Sequence, residues 1–157
     1  MPLTERLGEA LTQRRLTIST IESCTAGGLA YRITEVPGAS VYFLGGLVAY
    51  DNRVKLEWVG VPRRVFEQHG AVSREAASAM SEGGRTRFNT DLCLAITGIA
   101  GPGGGTPEKP IGTVFVSASS QAGTRTQRFS FSGDRQHVRQ RAIDAALEMA
   151  LDFMTDG

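Results

Sequence analysis

Apolar positions along the chain follow two rhythms. Leu3, Leu7 and Leu11 recur every four residues among polar neighbours, which predicts an amphipathic helix. Residues 16–21 are a run of β-formers and predict a strand. Residues 27–34 return to a helical pattern, closed by Val36-Pro37-Gly38. Residues 41–50 are apolar and β-rich, with Gly45-Gly46 inside. They predict a strand with a bulge or a close backbone approach. Asn52 is the expected N-cap of a short helix through Trp58, Val61-Pro62 opens another, and Ser73 caps the helix carrying Ala76, Ala77 and Met80. Residues 91–97 read as a buried strand, and residues 98–110 as a loop rich in glycine and proline. Residues 111–118 and 125–131 read as strands joined by a turn around Gln121-Ala122-Gly123. The last helix begins near Asp134, with Val138, Ala142, Ala145, Met149 and Phe153 on one face.

Helices and strands therefore alternate, which predicts an α/β layered fold with parallel early strands. The short connection between the last two strands predicts one antiparallel pairing, so the expected sheet is mixed and mostly parallel. In such sheets ligands sit beyond the carboxyl ends of the strands. Loops at residues 22–28, 50–55 and 98–110 all follow strand ends. They converge if their strands are parallel neighbours.

The bulk composition narrows the partners. The 157 residues suit one domain, taken as residues 1–157. A formal net charge of +1 points neither to nucleic acid nor to a membrane surface. The densest basic group, Arg135, Arg139 and Arg141, lies among helix formers and reads as a solvated face. No apolar run is long enough to span a bilayer, and the N-terminus has no signal-peptide pattern. Cys24 and Cys93 have no metal-ligand spacing. A reducing cytoplasm is the simplest compartment.

The chemistry concentrates in the three loops. The first begins Glu22-Ser23-Cys24-Thr25-Ala26-Gly27-Gly28. A hydroxyl at a strand-to-helix turn is exposed beside outward N–H groups that can hold a phosphate or an oxyanion. Ser23 or Thr25 could equally be a helix cap. A nucleophilic serine needs a base. The only histidines, His69 and His137, lie outside the strand-end loops, and no G-x-S-x-G elbow is present. Lys55 is the better candidate base, provided that a helix start or burial lowers its pKa. The alternative is a surface lysine. Tyr50 could orient the base, donate to the leaving group, stack on a ring, or belong to the core. Cys24 is the rival nucleophile if a helix N-terminus activates it, and otherwise a buried inert thiol. The third loop, from Thr97-Gly98 through Gly101, Gly103 and Gly104, can wrap an anionic ligand with backbone N–H groups. It is neither a Walker A loop nor a dinucleotide fingerprint.

Five stretches occur in order: E-S-C-T-A-G-G, V-P-G-A-S-V-Y-F-L-G-G-L-V-A-Y-D-N-R-V-K, H-G-A-V-S, A-I-T-G-I-A-G-P-G-G-G-T-P-E-K-P-I-G-T-V and F-S-G-D-R. In these the chain resembles the CinA C-terminal domain family, whose stand-alone members are nicotinamide-nucleotide amidohydrolases. The resemblance covers nearly the whole chain. It implies a three-layer α/β/α sandwich and hydrolysis of the carboxamide of nicotinamide mononucleotide to nicotinate mononucleotide and ammonia, which recycles pyridine nucleotide into NAD synthesis. It places a serine–lysine pair on Ser23 and Lys55, with Tyr50 close by. The substrate-binding set it suggests is Cys24, Thr25, Asn52, Thr97, Gly98, Gly101, Gly103 and Gly104. No metal or organic cofactor is expected, and the partners expected are the nucleotide substrate and further copies of the chain. Longer relatives carry an additional N-terminal pyrophosphatase domain, an activity not expected here. Two positions depart from the family pattern: Ala26 stands where glycine is common, and the acidic Asp51 where serine is common. The alternative function is a nucleotide-binding or partner-interaction module that has lost catalysis. A phosphoryl-transfer enzyme lacks an evident metal-binding carboxylate cluster.

Overall fold

The computed structural model describes residues 1–155. In chain order the elements are α1 (Leu3–Arg14), β1 (Ile18–Glu22), α2 (Gly28–Thr34), a 3-10 turn (Ala39–Val41), β2 (Phe43–Val48), α3 (Asn52–Val54), a π-helical turn (Lys55–Val59), α4 (Arg63–His69), α5 (Arg74–Phe88), β3 (Leu92–Gly98), β4 (Thr113–Ser120), β5 (Gly123–Ser130) and α6 (Arg135–Thr155). The five strands form one sheet in the order β2-β1-β3-β4-β5. Helices cover both faces, giving the expected three-layer α/β/α sandwich.

Every residue of β1 is buried, so this strand shows a continuous apolar and small-polar run rather than alternation. On one face Ile18 joins Leu7 and Leu11 of α1, Leu29 and Ile33 of α2, and the inward stripe of α6. On the other, Ile21 packs with Val59, Val65 of α4, and Ala76 and Met80 of α5. Each large aliphatic side chain buried in this way contributes about 1.5–3 kcal/mol.

β1 pairs in parallel with both β2 and β3. β3–β4 and β4–β5 are antiparallel. The sheet is mixed as expected, but half of its pairings are antiparallel. Residues 98–112 form no crossover helix, so β4 returns as the second arm of a wide hairpin. The bulge expected in the second strand is a register shift opposite Ile18 and Ser19. Gly46 is a close approach: a Cβ there would lie 2.2 Å from Thr20 Oγ1.

Two local expectations are corrected. The cap of α3 is Asp51, whose carboxylate accepts from Arg53 N at 2.7 Å, and Asn52 is the first helical residue. The aspartate, one residue earlier, has the extended backbone that a cap requires. Residues 41–42 precede the second strand rather than belonging to it, because the chain is still in its 3-10 turn. Ser73 caps α5 as expected, accepting from Ala76 N.

Candidate functional site

The three strand-end loops meet at one end of the sheet. Glu22 O accepts from Ala49 N at 2.7 Å, and Ser23 N donates to Ile96 O at 3.0 Å. Ser23 therefore sits between the end of β2 on one side and that of β3 on the other. It is 9 % exposed, and its hydroxyl has no hydrogen-bond partner among the described residues.

The turn after Ser23 is built by its neighbour. The Glu22 carboxylate is 1 % exposed. It accepts from Thr25 Oγ1 at 2.6 Å, Leu29 N at 2.8 Å and Ala30 N at 3.0 Å. Two of the unpaired N–H groups that open α2 are thus satisfied by a side chain six residues before the helix. The start of α2 does hold a negative charge, but the charge is Glu22, so those N–H groups are not available to a substrate anion. The backbone N–H groups of Cys24 and Thr25 have no acceptor among the described residues and remain free. Thr25 keeps a free amide, while its hydroxyl is committed to Glu22.

Cys24 sits in the core against the α1, α2 and α6 face, and burial pushes its thiol up to about 11. That is the inert form of the residue. Its carbonyl accepts from Arg139 Nε at 2.7 Å.

Lys55 is 1 % exposed despite its charge. Its Nζ donates to Tyr50 O at 2.9 Å. Burial drives its pKa below the ordinary 10.5, while the Asp51 carboxylate partly opposes the shift. Desolvation therefore tunes this lysine. The orienting group is the carbonyl of Tyr50 and not its phenol. The Tyr50 ring is 58 % exposed, and its hydroxyl accepts from Arg135 Nη2 at 3.3 Å. Among the described residues no hydrogen bond joins Lys55 to Ser23. Clefts of about 570–740 Å³ lie elsewhere on the surface, and neither residue lines them.

The glycine loop closes the third side. The amides of Ala100, Gly101, Gly103, Gly104 and Gly105 make no backbone hydrogen bond. Gly103 faces open space, and Gly104 has φ +90°. Gly98 and Gly101 are glycines for an internal reason as well: a Cβ on either would lie within 2.8 Å of Val114 or Ile111. Thr97 is buried and donates its hydroxyl to Ala71 O at 2.8 Å, so it ties the site to the loop before α5. Asn52 is exposed at the mouth.

Two residues read as a solvated face prove to belong here. Arg135 donates to Gly101 O at 2.8 Å as well as to Tyr50, and Arg139 holds Cys24 O. The start of α6 thus clamps all three loops. Arg135 closes the quoted F-S-G-D-R stretch, and that was the available signal; the direction in which a helix end points is not written in its own sequence. Among the described residues no group of three His, Cys, Asp or Glu is placed to hold a metal ion.

Residues 1–154 match the CinA C-terminal domain family. A CinA-like protein of Geotalea daltonii is 52% identical over 131 residues, 83% of this chain and 32% of the relative. One of Desulfotalea psychrophila is 43% identical over 152 residues, 97% and 37% of the two. The chain spans about a third of the length of the curated relatives it matches. Among solved structures, the competence/damage inducible protein CihA from Agrobacterium tumefaciens superposes with a TM-score of 0.94 at 35% identity, covering 98% of this chain and 93% of that one. A CinA superfamily protein from Klebsiella pneumoniae superposes at 0.95 with 31% identity, covering 99% and 97%. With the family match over almost its whole length, the chain belongs to the CinA C-terminal domain family.

Proposed function

We propose that the chain is an amidohydrolase that converts nicotinamide mononucleotide to nicotinate mononucleotide and ammonia through a Ser23–Lys55 pair. The observation that carries this reading is a buried lysine with a lowered pKa at the strand-end mouth that holds an unbonded serine hydroxyl. A buried ammonium is expensive, and a lysine kept in such a place for packing alone would serve better as methionine.

In the proposed reaction neutral Lys55 takes the Ser23 proton as Oγ attacks the carboxamide carbon. The carbonyl oxygen becomes an oxyanion, held by the N–H groups of Cys24 and Thr25. Lys55 returns the proton to the amide nitrogen, the C–N bond breaks and ammonia leaves. Water then hydrolyses the acyl ester, with Lys55 again passing the proton, and Ser23 is restored. The free amides of residues 100–105 and the Arg135 guanidinium suit the substrate phosphate. Remote binding energy then positions the amide. In this reading the exposed Tyr50 ring stacks on the pyridine. Purified protein should release ammonia and nicotinate mononucleotide from nicotinamide mononucleotide. Ser23→Ala should abolish this and Cys24→Ala should retain most of it. The reverse pattern would sink the serine assignment.

The missing hydrogen bond between Lys55 and Ser23 is the one observation that favours a second reading, a nucleotide-binding module without turnover. Catalytic hydrogen bonds often form only with substrate in place. Nucleotide binding without product release would decide for the module.

A further inference from the structure

Two peptide units carry the N–H groups that the proposed reaction assigns to the oxyanion, and each is anchored by its carbonyl. In the Ser23–Cys24 unit, Ser23 O accepts from Ala26 N at 3.1 Å. That bond closes a four-residue turn, Ser23 to Ala26, with Cys24–Thr25 as its central peptide. The central peptide takes no part in the closing bond, so the turn itself does not hold its plane. Its carbonyl, Cys24 O, accepts from Arg139 Nε at 2.7 Å. Its N–H, that of Thr25, has no acceptor among the described residues. The unit is trans, so carbonyl and N–H point in opposite directions. A guanidinium on the oxygen therefore sets where the N–H points.

Arg139 also brings charge to this place. It is half-buried on α6 and pairs with no carboxylate among the described residues. The turn lies beside a buried negative group, since Glu22 Oε1 is 2.6 Å from Thr25 Oγ1. A carboxylate so close opposes a second negative charge on a substrate oxygen. At the Cys24 thiol the effect of Arg139 is the largest of the neighbouring charges, ahead of Glu22. A charge-assisted bond to a carbonyl polarises its whole peptide and makes the N–H a stronger donor.

We infer, on the Ser23–Lys55 amidase reading, that Arg139 is a positioning residue for the oxyanion. It fixes and polarises the Cys24–Thr25 peptide, and the Thr25 N–H receives the charge that develops on the carboxamide oxygen. Arg139 acts through this peptide and touches no substrate atom. In the same reading Arg135 meets the phosphate, so the two arginines act on different kinetic constants.

The test compares Arg139→Met and Arg139→Lys with the parent, and thermal melts establish that each is folded. In Arg139→Met, kcat for nicotinamide mononucleotide should fall about 10- to 100-fold, less than for loss of a whole oxyanion donor, with KM within about twofold. Arg139→Lys keeps the charge and a donor and should recover part of the loss. An aldehyde analogue of the substrate, whose adduct with Ser23 puts an alkoxide where the oxyanion forms, should lose affinity by a similar factor. A clamp that only held the loops together would lower Tm and raise KM, with kcat and aldehyde affinity at parental values; that outcome overturns the inference. Amide nitrogen resonances supply a readout that needs no turnover. The Thr25 signal should shift in Arg139→Met and return toward the parental position in Arg139→Lys, while Leu29 and Ala30, held by Glu22, stay in place. A Thr25 signal that does not move overturns the inference whatever the kinetics. A parent without turnover sinks the amidase reading and the oxyanion role with it, and the Thr25 signal separates that failure from a failure of Arg139 to hold the peptide.

Discussion

Glu22 should be the residue whose loss most disturbs the nucleophile loop without touching the nucleophile. Its carboxylate is buried and accepts from Thr25 Oγ1, Leu29 N and Ala30 N. In Glu22→Gln one oxygen can keep the bonds from Thr25 and Leu29, but the amide NH2 must then face the N–H of Ala30. One charge-assisted bond is lost and two donors are opposed, which costs about 1.5–3 kcal/mol. Glu22→Ala removes the acceptor for all three donors, two of them buried helix N–H groups, and should cost about 3–5 kcal/mol. For a domain of this size each kcal/mol lowers Tm by about 2–4 °C. The glutamine variant should therefore melt about 3–12 °C below the parent, and the alanine variant lower still or not fold. Thermal and urea melts read this directly. Turnover of the folded glutamine variant should fall through kcat, because the Ser23–Thr25 turn hangs from this carboxylate. A Glu22→Gln protein with parental Tm and parental kcat would refute the assignment of Glu22 as the support of the loop.

Three further predictions concern neighbouring residues. Ala26 is exposed with φ +50°, a conformation that costs an L-residue about 1–2 kcal/mol. Ala26→Gly gives back part of that in chain entropy, so it should stabilise by about 0.5–1 kcal/mol in urea melts, and an unchanged or lower midpoint would contradict the strain. Lys55→Met should raise stability while removing turnover. Because the folded pKa lies below 10.5, the unfolded chain binds more protons between those two values, and parental stability rises with pH there. The advantage of the methionine variant should be full below the folded pKa and shrink as pH climbs toward 10.5; melts across pH showing no such convergence would count against an amine whose pKa burial has lowered. Arg135→Met frees Tyr50 and the carbonyl of Gly101 and removes the proposed phosphate contact. It should raise KM for nicotinamide mononucleotide about 10- to 100-fold with little change in kcat, and a kcat effect alone would place Arg135 elsewhere in the reaction.

How far the site could be read from sequence depended on whether a residue's role was local. The strand ends at Glu22 and Gly98 follow from apolar runs broken by glycine, and their convergence follows from parallel pairing, so Ser23 and the glycine loop were legible. Lys55 was legible as a candidate, with a helix start or burial as the two ways its pKa could fall, and burial is the one that acts. Glu22 was visible as an oddity without an explanation, because it reaches past six residues to α2, far beyond ordinary capping distance. Arg135 and Arg139 were misread because a charged helix face looks the same whether it meets water or a neighbouring loop. The antiparallel return of β4 was within reach, since residues 98–110 lack any helical pattern from which to build a crossover.

The central claim is that a buried, neutral Lys55 is the base for Ser23. Its most direct test is kcat/KM for nicotinamide mononucleotide as a function of pH, in the parent and in Lys55→Met. The parent should show a rising limb as the lysine loses its proton, with a midpoint below 10.5. Lys55→Met should lose the limb and about 10²–10⁴ of the rate. A limb that survives in Lys55→Met, or a variant that keeps the parental rate, would contradict the account.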